Sequence, residues 1–222
     1  ADKPLISMIA PLFHTDEKNG IRRATDTCIC VSRVESWGPK SGWAPWFVWG
    51  EKSSARNTRN RFLSGQFVFT LGIWADEVRQ DPDHYYWGEE FALSVRSFTH
   101  GYDFFVPDSI VAWHMLHLDG PPRRHWEHGD AVVQAKNKVA IDRLAKLVYS
   151  DAPADQKALG RYGLGTKRTL AEFERFAGMD LHRKCAHPDV FAGRCPDPIT
   201  IKSDDDWDQC VPCATYQAMV SA

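Results

Sequence analysis

Two adjacent carboxylates, Glu89 and Glu90, directly follow the three aromatic residues and the glycine of Tyr85-Tyr86-Trp87-Gly88. Carboxylates near the first turn of a helix are favoured by the helix dipole, so the pair has a purely structural explanation. An aromatic platform beside carboxylates also suits a sugar, because rings stack on its C–H face and carboxylates accept hydrogen bonds from its hydroxyls. By residue type alone, the helix-start and sugar-site interpretations both stay open.

Four cysteines near the C-terminus form a second candidate site, Cys185, Cys195, Cys210 and Cys213, with the spacing C-x9-C-x14-C-x2-C. Four thiolates that include one C-x-x-C pair fit a structural zinc site, and two disulfides are the competing explanation. A segment of about forty residues with few apolar groups needs one kind of cross-link or the other. Cys28 and Cys30 share one face of a predicted strand and are expected to be reduced core residues.

Strands and helices alternate along most of the chain. Apolar runs predict strands at 4–11, 27–34, 46–49, 62–70, 102–106 and 109–114. Helical spacing predicts helices at 72–80, 88–100 and 126–149, and Thr169 to Glu172 forms a capping box that opens another. We therefore predict an α/β fold with an open mixed sheet flanked by helices. The expected divisions are a main unit at 1–150, a linker and capping helix at 151–181, and an irregular Cys-rich extension at 182–222.

Composition excludes several classes of protein. The chain has 222 residues and a net charge of -2, so it lacks the excess of basic residues that nucleic-acid-binding proteins carry. We expect no membrane span, because no apolar run reaches the length of about 18–20 residues that a span requires. The first residues, Ala1 to Pro4, show no apolar stretch of the kind found in a signal peptide.

Five separated blocks carry a resemblance to one family. They are FLSGQFVFT at 62–70, YWGEEFALSVR at 86–96, HGYD at 100–103 with Trp113-His114, RHW at 124–126, and RYGLGT from 161 on to Gly178. In this order they resemble the cytosolic transferases that attach N-acetylglucosamine to protein hydroxyproline, and the bacterial relatives of those enzymes. More distantly, the blocks are similar to the polypeptide N-acetylgalactosamine transferases.

The resemblance implies a fold and a reaction. The fold is GT-A, and the reaction moves N-acetylglucosamine or a related sugar from a UDP-sugar to a hydroxyl of a protein or glycan, with retention at the anomeric carbon. A divalent cation, Mn²⁺ or Mg²⁺, assists departure of the nucleoside diphosphate. The resemblance also implies a cytoplasmic location.

The resemblance assigns roles to individual residues of this sequence. Its catalytic carboxylates correspond to Glu90 and Glu89, and its metal ligand corresponds to His114. The residues expected to bind substrate are Gly65, Tyr86, Trp87, Gly88, Arg124 and His125. Arg61 is added as a diphosphate-binding candidate, because this basic residue directly precedes the predicted strand at 62–70.

The sequence departs from the family pattern in one respect. In the resembled family, the uridine-binding strands and an Asp-x-Asp/His metal motif precede the block that matches Lys3 to Ile6. This chain is therefore expected to correspond to the second half of the domain, with a separate chain or a longer precursor supplying the first. Asp81-Pro82-Asp83 has the letters of the motif but follows a predicted helix, and we interpret it as a turn.

Two alternatives to a retaining transferase remain open. The first is a non-catalytic split or truncated relative that serves as a binding or assembly module. The second is an inverting GT-A transferase, in which a carboxylate near Trp87-Gly88 acts as the general base.

Overall fold

A computed structural model of the chain describes residues 2–16, 20–23, 29–53, 57–115, 131–196 and 200–221. The strands are β1 (Pro4–Ser7), β2 (Leu12–Asp16), β3 (Gly20–Arg23), β4 (Cys30–Ser36), β5 (Trp46–Lys52), β6 (Val68–Thr70), β7 (Asp103–Phe105), β8 (His114–Met115), β9 (Met179–Asp180) and β10 (Cys185–Ala186). The helices are α1 (Trp74–Glu77), α2 (Glu89–Thr99), α3 (Ala131–Val148), α4 (Pro153–Leu159), α5 (Leu170–Ala177), α6 (Pro188–Ala192) and α7 (Cys213–Val220). This is the mixed α/β content that the sequence predicts.

The described strands form several small sheets in place of the single open sheet that we expected. Two of these sheets are mixed: β6-β1-β7, in which β1 pairs antiparallel with β6 and parallel with β7, and β3-β2-β8, in which β2 pairs antiparallel with β3 and parallel with β8. β4 and β5 pair antiparallel, as do β9 and β10. The predicted strand at 4–11 is interrupted after Ser7, so β1 and β2 enter different sheets.

The predicted strand at 62–70 is confirmed only at its end, in β6. The preceding residues are irregular, because side chains from distant segments bind their backbone groups. The backbone N–H of Leu63 donates to Ser94 Oγ (2.8 Å), and that of Ser64 donates to Ser7 Oγ (2.8 Å). These bonds satisfy the peptide groups without a neighbouring strand and fix the 63–65 segment against β1 and α2.

The core holds α2 in place through a run of phenylalanine contacts. The ring of Phe91, which is fully buried, lies 6.3 Å from the Phe62 ring centroid and 5.9 Å from that of Phe173. Phe47 stacks on Phe62 at 4.3 Å. Because α2 begins at Glu89, this packing fixes the position of the carboxylate pair.

The chain beyond residue 150 is more regular than the sequence analysis predicted. The expected linker contains α4, and the expected irregular tail contains α6 and α7. The capping box is confirmed, because Thr169 Oγ1 accepts from the Glu172 backbone (3.1 Å) and Glu172 Oε2 accepts from the Thr169 backbone (2.6 Å). Buried residues of the tail, including Val190 and Phe191, belong to the same core as α2. Over the described residues, the model contains no helix that is both long and apolar enough to cross a membrane.

Candidate active site

A cleft of about 970 Å³ opens between the start of α2, the 63–66 segment, the start of β5 and α3. Its lining includes seven of the residues that the sequence analysis assigned to a sugar or metal site: Gly65, Tyr86, Trp87, Gly88, Glu89, Glu90 and His114. These residues come from three places in the sequence, at 65, 86–90 and 114. The structure therefore brings the predicted residues together in one cavity.

Glu90 is held in the cleft by one of its two carboxylate oxygens. Glu90 Oε1 accepts hydrogen bonds from the Gly65 backbone N–H (2.7 Å) and from Ser64 Oγ (3.1 Å). Burial raises the pKa of Glu90, although these two bonds oppose the rise. With Oε1 occupied, Oε2 is the oxygen left to accept a hydrogen bond from a group bound in the cleft.

Glu89 lies between the cleft and a smaller polar cluster beneath it, formed by Asp81, His84, Arg96 and Arg143. Burial, and next the charge of Glu90, raise the pKa of Glu89 to about 7. A carboxyl with that pKa exchanges its proton near neutral pH, which suits a general acid or base.

The raised pKa of Glu89 predicts how stability depends on pH. Between pH 4.5 and about 7 the folded chain keeps the Glu89 proton and the unfolded chain loses it, so this residue lowers the free energy of unfolding as pH rises through that window. Glu89→Gln cannot ionise, and its stability relative to the wild type is expected to increase steadily from pH 5 to pH 7.5. Urea unfolding at several pH values measures this, and parallel stability curves for the two proteins would contradict the assignment.

Three aromatic side chains that contact one another also line the cleft that holds Glu90. The Trp46 ring centroid lies 6.2 Å from that of Tyr86 and 5.8 Å from that of Trp87, and the last two are 5.7 Å apart. Trp46 is 40% exposed, which is unusual for so large an apolar ring. Exposed rings beside a carboxylate match the sugar platform that the sequence suggested.

The turn that carries Tyr86 and Trp87 is strained and is held from below. Tyr86 has a φ of 49°, and Gly88 has a φ of 78°. A Cβ on Gly88 would lie 2.9 Å from Leu144 Cδ2, so both backbone conformation and space require glycine there. His84 Nε2 lies 3.0 Å from the Trp87 carbonyl oxygen, and since that oxygen only accepts, Nε2 carries the proton. A strained backbone conformation such as that of Tyr86 persists only where the surrounding structure holds it in place. Here the strained turn places Tyr86 and Trp87 in the cleft lining.

His84, which holds the Trp87 carbonyl, is not a surface residue. Its side chain is buried, and burial lowers its pKa, so the ring is neutral at neutral pH. The Asp81-Pro82-Asp83 turn is confirmed as structural, because Asp81 Oδ2 accepts from Arg143 Nε at 2.6 Å, below the cleft. This ion pair packs against His84 and supports the 84–88 turn from the α3 side.

Removing the His84 ring is therefore expected to loosen the aromatic wall. We expect His84→Ala to weaken binding of a sugar ligand about tenfold, since the Trp87 carbonyl loses its donor and the turn loses its support. His84→Gln, which keeps an N–H donor, should recover most of the affinity. The matched control is Asp83→Ala, which changes an exposed side chain of the same turn and should leave affinity unchanged. Equal affinities in His84→Ala and the wild type, measured by titration calorimetry, would contradict the positioning role.

His114 lies in the cleft wall at the start of β8, and its buried Nδ1 has no hydrogen-bond partner within the described part of the chain. This atom can serve as one metal ligand. Within that same part of the chain, however, no three His, Cys, Asp or Glu side chains are grouped closely enough to hold a metal ion. The described residues therefore do not form a metal centre by themselves, and the Mn²⁺ or Mg²⁺ role of His114 stays a prediction.

The comparison with protein-family models matches residues 1–183 to the family described as glycosyltransferase (GlcNAc). That match covers more than half of the chain. The chain belongs to this glycosyltransferase family. The comparison with curated proteins found no match, and neither did the comparison with solved structures.

The position of Arg61 does not agree with the diphosphate-binding role expected for it from the sequence. The side chain of Arg61 is fully buried outside the cleft lining, and its Nη2 donates to Thr200 Oγ1 (3.1 Å). Burial, partly offset by Asp189, lowers the pKa of Arg61 to about 10. Arg61 thus joins the C-terminal segment to the core, and this placement does not support contact with a diphosphate. Arg124 and His125 lie outside the described residues.

The four C-terminal cysteines of this glycosyltransferase do not converge. The thiols of Cys185 and Cys210 hydrogen-bond each other, whereas Cys195 Sγ donates to the Arg59 carbonyl (3.5 Å) and Cys213 Sγ donates to the Glu35 carbonyl (3.6 Å). None of the four is disulfide-bonded. The geometry therefore supports neither a four-cysteine zinc site nor two disulfides, and structural zinc stays a prediction that elemental analysis tests.

The other cysteine prediction is also changed. Cys30 is buried in the core, as expected, but it is disulfide-bonded, so the expectation that it is reduced is wrong. Cys28 lies outside the described residues.

Two further residues of the glycosyltransferase cleft were missed by sequence reasoning. Trp46 was assigned only to a short strand, although its place in a tryptophan-rich stretch was a signal that could have suggested a ligand-facing ring. Asn137 lies within the longest predicted helix, where nothing in the sequence distinguishes it from a solvent-facing residue.

Proposed function

We propose that the cleft is the sugar site of a transferase that moves N-acetylglucosamine or a related sugar from a UDP-sugar to a hydroxyl of a protein or glycan. The observation that carries this proposal is that Glu90 lines the same cavity as Trp46, Tyr86 and Trp87, in a chain from a GlcNAc glycosyltransferase family. A carboxylate and aromatic rings in one cavity complement the polar edge and the apolar face of a pyranose.

Each side of the cleft has a separate task in the proposed reaction. The rings of Trp87 and its neighbours hold the C–H face of the sugar, and Glu90 Oε2 accepts a hydrogen bond from one of its hydroxyls. Glu90 Oε1 is fixed by Gly65 and Ser64, so the carboxylate is oriented before the sugar arrives. Preorganised contacts of this kind do not have to reorganise when charge develops in the transition state.

We propose that transfer proceeds with retention and without a protein nucleophile. The acceptor hydroxyl approaches the face of the sugar from which the diphosphate departs, and the departing phosphate oxygen takes the acceptor proton. The new bond joins the acceptor oxygen to the anomeric carbon, and the bond to the phosphate oxygen breaks. Glu90 binds and orients the sugar in this scheme and does not attack it.

A divalent cation is expected to complete the site. Mn²⁺ or Mg²⁺, when bound, would neutralise charge on the diphosphate, with His114 as one ligand. The described residues supply one candidate ligand for that cation.

A second candidate reaction is favoured by one observation. The pKa of about 7 at Glu89 is that of a general base working near neutral pH, as an inverting transferase requires. In that scheme Glu89 takes the acceptor proton, and attack comes from the face opposite the diphosphate.

The anomeric configuration of the product separates the two reactions. We expect the complete enzyme, supplied with UDP-N-acetylglucosamine and a hydroxyproline-containing peptide, to form an α-linked product, identified by the anomeric coupling constant in proton NMR. A β-linked product would overturn retention and support the role of Glu89 as base. Donor binding in the cleft without transfer to any hydroxyl acceptor would support a non-catalytic binding module instead.

A further inference from the structure

Asn137 interrupts an apolar stripe on α3. Ile141 and Leu144, four and seven positions later, share its helix face and pack against the segment that leads into β5 and against the 84–88 turn. A Cβ on Gly42 would lie 2.4 Å from Ile141 Cγ2, and a Cβ on Gly88 would lie 2.9 Å from Leu144 Cδ2. One helical turn before Ile141, this helix face lines the cleft. The residue at that position is Asn137, whose side chain is a polar amide where an apolar side chain would continue the packing.

The Asn137 amide has an unsatisfied atom. Its Oδ1 is buried and has no hydrogen-bond partner within the described residues. A buried oxygen that accepts no hydrogen bond destabilises the fold. The presence of Asn137 at this position is therefore not explained by the packing of α3. A second atom of the same cleft wall, His114 Nδ1, is buried without a partner as well. Two such atoms in one cavity indicate that groups bound in the cavity supply the missing partners.

Two other residues that line the same cleft restrict the kind of donor that fits. Pro45 and Trp46 also line the cleft, Pro45 is buried, and Trp46 presents an exposed ring. The site thus combines one hydrogen-bond acceptor with an apolar wall. An acetamido group matches both parts, because its N–H is a donor and its methyl group is apolar, whereas the hydroxyl of an unsubstituted hexose has no apolar portion to bury.

We propose that Asn137 determines the sugar specificity of the cleft: Oδ1 accepts a hydrogen bond from the acetamido N–H of an N-acetylated amino sugar, whose methyl group packs on Trp46. This proposal rests on the proposed function, since it assigns a recognition role within the same sugar site. A hydrogen-bonding site rejects analogues that lack the matching group more strongly than an apolar pocket does, because its own polar atom is then left unpaired.

The test compares two donor nucleotides and three variants by titration calorimetry on the complete enzyme with Mn²⁺ present. Wild-type protein is expected to bind UDP-N-acetylglucosamine at least about tenfold more tightly than UDP-glucose. Asn137→Leu, which keeps the side-chain size but removes the acceptor, should lose that preference through weaker binding of UDP-N-acetylglucosamine, with UDP-glucose affinity unchanged. Asn137→Asp, which keeps an acceptor oxygen, should retain the preference. Asn137→Ala also removes the acceptor oxygen, and its small side chain controls for the apolar bulk of leucine.

The outcomes separate this inference from the function on which it rests. Unchanged UDP-glucose binding by Asn137→Leu shows that the variant is folded. Wild-type affinity of Asn137→Leu and Asn137→Ala for UDP-N-acetylglucosamine would overturn the specificity role and leave the proposed function standing. Equal weakening of both nucleotides would also overturn it, because the residue would then support the cleft generally. Absence of binding of either nucleotide to the wild type would overturn the proposed function and this inference together.

Discussion

Replacing Glu90 with glutamine is expected to lower transfer by about 100-fold or more while leaving the fold intact. Glutamine has the same shape and keeps one oxygen for the Gly65 N–H and Ser64 Oγ, which bond at 2.7 and 3.1 Å in the wild type. It loses the charge and replaces the second acceptor oxygen with an N–H₂ donor. The sugar hydroxyl that Glu90 Oε2 binds would then face a donor in place of an acceptor.

Stability distinguishes this role of Glu90 from a structural one. Because burial raises the pKa of Glu90, its ionised form destabilises the fold, and Glu90→Gln should melt at the wild-type temperature or above it near pH 8. Asp142→Asn, at an exposed carboxylate on α3 whose only described ion pair is with Lys138, is the matched control and should keep full activity. Near-normal turnover by Glu90→Gln would remove the assignment of Glu90 to the reaction.

Phe91→Ala is expected to have the largest effect on stability, lowering the free energy of unfolding by about 3–5 kcal/mol. The Phe91 ring is fully buried and lies among Phe47, Phe62 and Phe173, at centroid distances of 6.3, 6.3 and 5.9 Å. Its removal leaves a cavity that joins β5, the 62–66 segment and α5 directly under the start of α2.

Urea unfolding measures the loss in free energy of unfolding, and two further variants serve as comparisons. Phe91→Leu retains most of the volume and should lose less than about 2 kcal/mol. Phe69→Ala changes a ring that is 66% exposed, and it should stay within about 0.5 kcal/mol of the wild type. A loss below about 1 kcal/mol in Phe91→Ala would show that the phenylalanine contacts do not hold α2 in position.

The sequence was informative where local signals and the core packing agree. The start of α2 at Glu89, after the left-handed Gly88, and the capping box at Thr169 follow from short-range residue patterns. The meeting of Trp87, Glu90 and His114 in one cleft followed from the family resemblance, because no local pattern relates residues so far apart in sequence.

The missed features depend on long-range contacts. Arg61 precedes a segment that lines the cleft, yet its side chain lies against Thr200, which is 139 residues away. The irregular backbone at Leu63 depends on the hydroxyl of Ser94, and the burial of His84 depends on α3. Neither propensity nor apolar spacing reports such contacts, since both describe only neighbours in sequence.

The C-terminal cysteines also show that sequence patterns do not report long-range contacts. Spacing suggested a shared site for four thiols, but spacing carries no information on which elements lie between them. Cys195 Sγ donates to the Arg59 carbonyl and Cys213 Sγ donates to the Glu35 carbonyl, so thiols that the sequence places in one segment contact different parts of the fold.

The most direct test of the sugar site is a titration with UDP-N-acetylglucosamine, observed through the indole N–H signals of the tryptophans in ¹⁵N–¹H NMR. Trp46→Phe and Trp87→Phe assign the signals of these two cleft tryptophans. Both signals should shift with a common affinity, while that of Trp207, in the 204–209 turn outside the cleft lining, stays in place. Shifts confined to tryptophans outside the cleft, or none at saturating nucleotide, would contradict a sugar site there.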